Sequence, residues 1–368
     1  MSQKINSLQL LRAVAVSLVI FTHANHYIVP NVATSSPVDS FYHLRTFGPI
    51  GVDLFFAISG FIMTIIYPAY HKPGGWKTFF MKRIIRIIPL YYLLSCLDAF
   101  VTFYLHHQPV EWLVVIKTII FFPIFDTPVF LGPLISVGWS LSYEIYFYAL
   151  IGLALLIKKN VIEKLLIILV ALSTIGVFWN PDNPLLRFLT SPMLLEFGFG
   201  MICGMLYSRF NHSKIEISKK QIISITLTFV GAALMISTIF FDLRFDIYNQ
   251  NVIANNNIAA LYKTIIWGLP SAMFLLGVIL MEKSFSLNVA SVLILVGDAS
   301  YSAYLTHGMV YPVVAKVSKK LSIAPIPYLI VAVPVCVIAS IVFYKLVEKP
   351  LVVGVDKLLK YKRPVIMK

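Results

Sequence analysis

Ten apolar stretches recur along these 368 residues, at roughly 8–29, 48–70, 88–106, 136–157, 164–179, 190–208, 221–241, 261–281, 299–317 and 324–347. Each is near the roughly 20 residues that an α-helix needs to cross about 30 Å of hydrocarbon. A soluble core of this size does not need so much apolar surface: hydrophobic residues make up 59% of the chain and charged ones 12%. The expected fold is an all-α integral membrane protein of about ten transmembrane helices. It is expected to be a single domain over 1–350, followed by a short basic tail at 351–368. Two further pieces, 111–125 and 289–297, are short or broken by charge and are expected to be interfacial or re-entrant.

Charge orients this set of spans. The net charge is +14, and most Lys and Arg side chains fall in alternate connections: 71–87, 158–164, 209–220, 282–288 and the tail from Lys345. Positive residues mark cytoplasmic loops, so both termini are expected on the cytoplasmic side. The few basic residues on the opposite side include Arg187 and Lys263. No basic face or aromatic RNA-binding motif accompanies the charge, which excludes nucleic acid as a partner and leaves membrane lipid. Cys96, Cys203 and Cys336 all lie inside apolar runs, with neither metal spacing nor a disulfide framework, and are expected to be small core residues. The polar segment 242–258, rich in asparagine, suits either contact with a hydrophilic acceptor or a solvated connector.

The first span, LQLLRAVAVSLVIFTHANHYIV, imitates a signal peptide. Arg12 interrupts it early and its apolar character continues past any cleavage site, so it is expected to stay as a helix. Eleven residues separate Arg12 from His23, about three helical turns plus 20°, so both project from one face roughly 16 Å apart along the axis. A titratable side chain at membrane depth costs at least about 2.5 kcal/mol and usually marks a substrate or proton path. Asp53 in the second span and Glu144 in the fourth fall at a depth similar to that of His23. A carboxylate beside the imidazole would hold one tautomer and raise its basicity, as a general base requires. Glu196 and His307 are further ionisable groups inside spans. His26 and His43 lie near the outer surface and are expected to be solvated.

A second cluster lies on the cytoplasmic side. Arg12 is near the inner end of the first span, and Arg83 and Arg86, three residues apart, share a helical face just before the third. Guanidinium groups grip phosphate bidentately, so these three are expected to hold a nucleotide-bearing donor, whereas Lys82 serves only as a lipid anchor. Glu348 closes the last span on the same side, where it can pair with one of these arginines. A coenzyme A thioester has the long thin shape needed to reach from such a site to His23. A proton-coupled carrier would also use buried His, Asp and Glu.

Several segments, taken in chain order, resemble the acyltransferase-3 family of bacterial inner-membrane acyltransferases. They are the Arg12–His23 pair, GVDLFFAISGF from Gly51 to Phe61, Arg83-x-x-Arg86 followed by Ile87-x-Pro89-x-Tyr91, and WSLSYEIYFY from Trp139 to Tyr148. GDASYSAYLTH from Gly297 to His307 and Glu348-Lys349-Pro350 complete the set. The resemblance implies a multi-pass protein of the bacterial cytoplasmic membrane, with acyl-CoA as donor, most simply acetyl-CoA, and a carbohydrate hydroxyl as acceptor. His23 would activate that hydroxyl, assisted by Asp53 and Glu144, while Arg12, Arg83 and Arg86 engage the donor. Trp139, Ser142, Tyr143, Tyr301 and His307 are expected to line the substrate site. Ser59 and Ser142 are hydroxyls that could carry the acyl group in transit. Many members have a further extracytoplasmic hydrolase-like domain, and here acceptor handling is expected to fall to the membrane part or to a partner. The first span and the SGFIMT run look closest to members that acetylate exopolysaccharide or O-antigen. The competing reading is a carrier or exporter of a glycan or acyl group that makes no covalent bond.

Overall fold

Hydrocarbon offers no partner for a backbone amide, so a chain this apolar satisfies its backbone within helices. The structure, a computed structural model, describes residues 5–26, 47–104, 107–121, 125–126, 129–130, 133–157, 159–213, 215–241, 243–286 and 288–358. His43, the His26 side chain and residues 359–368 of the tail lie outside the described residues.

In chain order the helices begin with α1 Ser7–His26, α2 Ile50–Ile66, α3 Gly75–Tyr104 and α4 Trp112–Ile119. Next come α5 Trp139–Ile157, α6 Val161–Trp179, α7 Pro184–Leu189, α8 Leu194–His212 and α9 Ile217–Ser237. The series closes with α10 Gln250–Asn255, α11 Asn257–Lys263, α12 Leu269–Phe285, α13 Ser291–Asp298, α14 Ser300–Lys320, α15 Pro325–Phe343 and α16 Lys349–Leu358. Single π-helical turns, Thr264–Gly268 and Tyr344–Glu348, join α11 to α12 and α15 to α16. Among the described residues the one extended pairing is Phe125–Asp126 against Val129–Phe130, antiparallel.

This is an all-α integral membrane protein. Nine helices among the described residues are long and apolar enough to cross a membrane. The tenth expected span is α14, a helix of 21 residues whose Ser, Thr, Tyr, His and Lys side chains set it apart from those nine. The third span begins earlier than expected. Residues 75–87 are not a loop but the first turns of the 30-residue α3, with Pro89 inside it. At 1.5 Å per residue that helix is about 45 Å long, enough to carry its basic first turns beyond the hydrocarbon.

Backbone packing divides the chain into two compact units. The first comprises Met1–Ile58, Met205–Arg244 and Ile266–Val347, and the second Ser59–Gly204, Phe245–Ile265 and Glu348–Lys368. Within the first, α12, α13, α14 and α15 all pack against α1, and α9 pairs along α12. Two glycines let neighbours close on α1. A Cβ on Gly51 would lie 2.2 Å from the Ala15 carbonyl oxygen, and one on Gly297 would lie 2.1 Å from that of Gln9. Small residues permit such backbone approach between membrane helices, where dispersion rather than water drives association. The start of α1 is capped from α12, because Glu282 accepts the Asn6 amide at 2.9 Å and the Ser7 amide at 2.8 Å. A carboxylate there satisfies orphan N–H groups and complements the helix dipole.

Within the second unit, α5 packs against both α3 and α6, and α16 against α3. The asparagines of 242–258 work inside this unit. From Gln250 the segment folds into α10 and α11, with Asn249 and Asn256 as their N-caps. The buried Asn257 side chain donates to the Gly176 carbonyl at 3.2 Å, its amide donates to Asn180 Oδ1 at 3.0 Å, and Asn255 Oδ1 accepts from Arg187 at 3.2 Å.

One sequence expectation changes here, and two residues gain a setting. Arg187 and Lys263, counted among the basic residues of the outer side, are both buried. Cys96, expected in the core, is exposed on α3 beside Leu93 and Leu97, whereas Cys203 and Cys336 are buried as expected. In a membrane an apolar helix face meets lipid as readily as protein, so an apolar run does not distinguish the two.

Lys263 is buried because it has a partner. Its Nζ lies 3.5 Å from Glu196 Oε1, which also accepts from Thr264 Oγ1 at 3.2 Å. Glu196 is 0% exposed and Lys263 2%. Removing one member of a buried pair costs about 3–5 kcal/mol because the other charge stays buried, whereas replacing both is often neutral. Lys263→Met is therefore expected to lower the thermal midpoint in detergent sharply. The double variant Glu196→Leu/Lys263→Met is expected to regain most of it.

Candidate active site

His23 lies near the C-terminal end of α1, where α14 packs against it. Three α14 side chains at i, i+3 and i+7 share a face: Tyr304, His307 and Tyr311. The His307 ring is completely buried and meets the half-buried His23 ring edge-on, with centroids 4.8 Å apart at 62°. Tyr311 donates its hydroxyl hydrogen bond to the Ile20 carbonyl at 2.7 Å, tying α14 to the turn of α1 that precedes His23. Phe55 of α2 meets Tyr304 at 6.1 Å. Asp53, in the first turn of α2, is fully buried within the same unit. Arg12 is half-buried in the second turn of α1, and Tyr301 is half-buried in the first turn of α14.

The second unit holds a separate polar cluster built on α3, α5 and the end of α2. Glu144 Oε1 accepts a hydrogen bond from Ser59 Oγ at 3.2 Å and another from the hydroxyl of Tyr148, one turn further along α5. The face of the Tyr148 ring carries Arg83, whose guanidinium carbon is 5.5 Å from that ring and 5.6 Å from the ring of Phe79. Aromatic faces attract a guanidinium and hold its plane. Arg83 is 9% exposed, and its Nε–H has no hydrogen-bond partner among the described residues. A desolvated guanidinium with a donor to spare suits a bound anion. Arg86 is half-buried one turn on. Glu348 is buried immediately before α16, the helix that packs on α3.

The substrate-site expectations fall in both units. Trp139 and Tyr143 of α5 meet edge-on at 6.2 Å, Tyr143 packs on Phe188 at 4.5 Å, and Ser142 is buried on the same helix. His307 is the member of that set brought against His23. Two contributors went unnoticed in the sequence, Tyr148 and Tyr311. Each stands four residues after an ionisable residue, Glu144 or His307, which is the spacing that stacks side chains on one helix face.

Comparison with known proteins gives this arrangement its family. The model of an acyltransferase domain, that of the acyltransferase-3 family, matches residues 5–345. Among curated proteins, the exopolysaccharide production protein ExoZ of Rhizobium meliloti (strain 1021) is 27% identical over 316 residues, covering 84% of this chain and 91% of that protein. The O-acetyltransferase OatA of Staphylococcus aureus (strain NCTC 8325 / PS 47) is 26% identical over 348 residues, again 84% of this chain. The match spans about half of OatA's own length, 54%. No solved structure matches the chain. With its family model covering nearly the whole sequence, the chain belongs to the acyltransferase-3 family of membrane acyltransferases.

Proposed function

We propose that the protein transfers an acyl group, most simply acetyl, from cytoplasmic acyl-CoA to a hydroxyl of a surface or extracytoplasmic carbohydrate. The single observation that carries this reading is the acyltransferase-domain match over 5–345, which includes His23 and all three arginines. The names of ExoZ, an exopolysaccharide production protein, and OatA, an O-acetyltransferase, support a polysaccharide acceptor and an O-acetyl product. The family suggests the bacterial cytoplasmic membrane as the location, and the distribution of basic residues favours both termini inside.

In this mechanism His23 takes the proton of the acceptor hydroxyl while the hydroxyl oxygen bonds to the thioester carbonyl carbon. The tetrahedral intermediate then collapses, the carbon–sulfur bond breaks, and the departing thiolate receives the proton from the His23 imidazolium. Asp53, fully buried in the same unit, adds a negative charge that stabilises the imidazolium as it forms. Arg12, Arg83 and Arg86 hold the donor phosphates. Support for Arg83 comes from its buried setting between Phe79 and Tyr148 with Nε–H unused. Glu144, fixed by Ser59 and Tyr148, shapes the charge of the site. Trp139, Ser142, Tyr143 and Tyr301 serve the acceptor and the acyl group.

The experiment is transfer of label from [14C]acetyl-CoA to polysaccharide extracted from the producing cells, by membranes containing the protein. A positioned general base contributes about 10²–10⁴-fold, so His23→Ala is expected to lose at least about 100-fold in kcat while remaining folded in the membrane. Transfer at the native rate by that variant would remove His23 from the mechanism. Arg83→Ala is expected to raise the KM for acetyl-CoA by about tenfold or more, the worth of a hydrogen bond to a charged group. Arg83→Lys is expected to recover little of it, since an ammonium lacks the planar fork.

A further inference from the structure

His307 has a hydrogen-bonding capacity that nothing among the described residues uses. Its Nδ1 lies 3.0 Å from the Ala303 carbonyl oxygen, one turn back along α14. A carbonyl can only accept, so Nδ1 carries the proton and Nε2 is left as a lone-pair acceptor. That Nε2 is buried without a hydrogen-bond partner among the described residues. Burying an acceptor unpaired destabilises a fold. Tyr311, 6.2 Å away by ring centroids, cannot supply the partner, because its one hydroxyl proton already goes to the Ile20 carbonyl. Two further titratable rings lie against His307: Tyr304 at 6.1 Å between centroids, and His23, nearer, at 4.8 Å. Two imidazoles joined by an N–H···N bond of about 2.9 Å have their centroids about 5 Å apart, close to the separation of His23 and His307.

We propose that His307 is a positioning residue for His23: as a neutral imidazole it accepts a hydrogen bond from the His23 nitrogen that faces away from the acceptor hydroxyl. The inference rests on the reading above that His23 is the base. The bond is weak while His23 is neutral and becomes charge-assisted, roughly twice as strong, once His23 has taken the hydroxyl's proton. An interaction that strengthens only as the transition state forms raises kcat rather than ground-state binding. The device orients the base as the carboxylate of a hydrolytic triad does, but with a neutral ring. It also accounts for a fully buried, half-satisfied histidine on the face of α14 that packs on α1.

Two variants separate this role from a structural one. Asn retains a donor near the position of Nδ1, able to bond to Ala303, but has nothing at the position of Nε2; Gln places an amide oxygen near Nε2. With [14C]acetyl-CoA and extracted polysaccharide, His307→Asn is expected to lower kcat about tenfold or more with the KM for acetyl-CoA within about twofold, as loss of a charge-assisted bond predicts. His307→Gln is expected to regain several-fold of that loss. Native kcat in His307→Asn would overturn the inference, as would equal losses in Asn and Gln. Nitrogen NMR of the 15N-histidine-labelled native protein reads the same arrangement without any variant. His307 is expected to be protonated at Nδ1 and bare at Nε2, and a proton on Nε2 would overturn the inference. If His23→Ala is inactive while His307→Asn is native-like, this inference alone falls. If His23→Ala stays active, the base reading falls first.

Discussion

A charge or a backbone donor inside hydrocarbon has to find its partner within the protein, and α1 is where that constraint presses hardest. It carries His23 and Arg12, the one Lys, Arg, Asp or Glu of the helix. Its N-terminal amides are answered by Glu282, its flanks by close backbone approach at Gly51 and Gly297, and its far end by Tyr311 on the Ile20 carbonyl. These contacts fix the rotation of α1 about its own axis. The direction in which His23 points is therefore a consequence of packing along the whole helix.

The same constraint sorts the other polar groups into those that serve the fold and those with capacity left over. Glu196, Lys263 and Thr264 answer one another next to a π-helical turn, and Asn257 is spent on Gly176 and Thr190. Arg83 and His307, like Arg187, are buried and keep one ring or guanidinium nitrogen unused among the described residues. Burial with unspent hydrogen-bonding capacity is what a site for a polar substrate requires before the substrate arrives. The Glu144 carboxylate falls between the two groups, held by Ser59 and Tyr148 beside the Arg83 cation.

The number and placement of the helices could be read almost directly from the apolar runs, because membrane thickness sets their length. Two features lay outside that reading. α3 begins three to four turns before its apolar run, since a helix can carry a Lys stem along its side while the charge reaches water, as at the exposed Lys77. Lys263 and Arg187, counted by their charge on the outer side, are each buried with a partner that is distant in sequence, Glu196 and Asn255. Pairings across 67 or 68 residues leave no local trace in a sequence. The ionisable residues of the site stood out because each is costly in an apolar span. Their neighbours did not, because Tyr148 and Tyr311 are ordinary membrane-helix residues until α3 and α1 are seen packed beside them.

What distinguishes an acyltransferase from a carrier built of similar helices is a new covalent bond on the acceptor. The most direct measurement uses the purified native protein in vesicles with [14C]acetyl-CoA and polysaccharide extracted from cells that lack the protein. The account predicts label bound to the polysaccharide as an ester, released by mild alkali, with one free coenzyme A thiol formed for each label transferred. Polysaccharide that crosses the membrane or stays bound without acquiring label, with acetyl-CoA left intact, would contradict it.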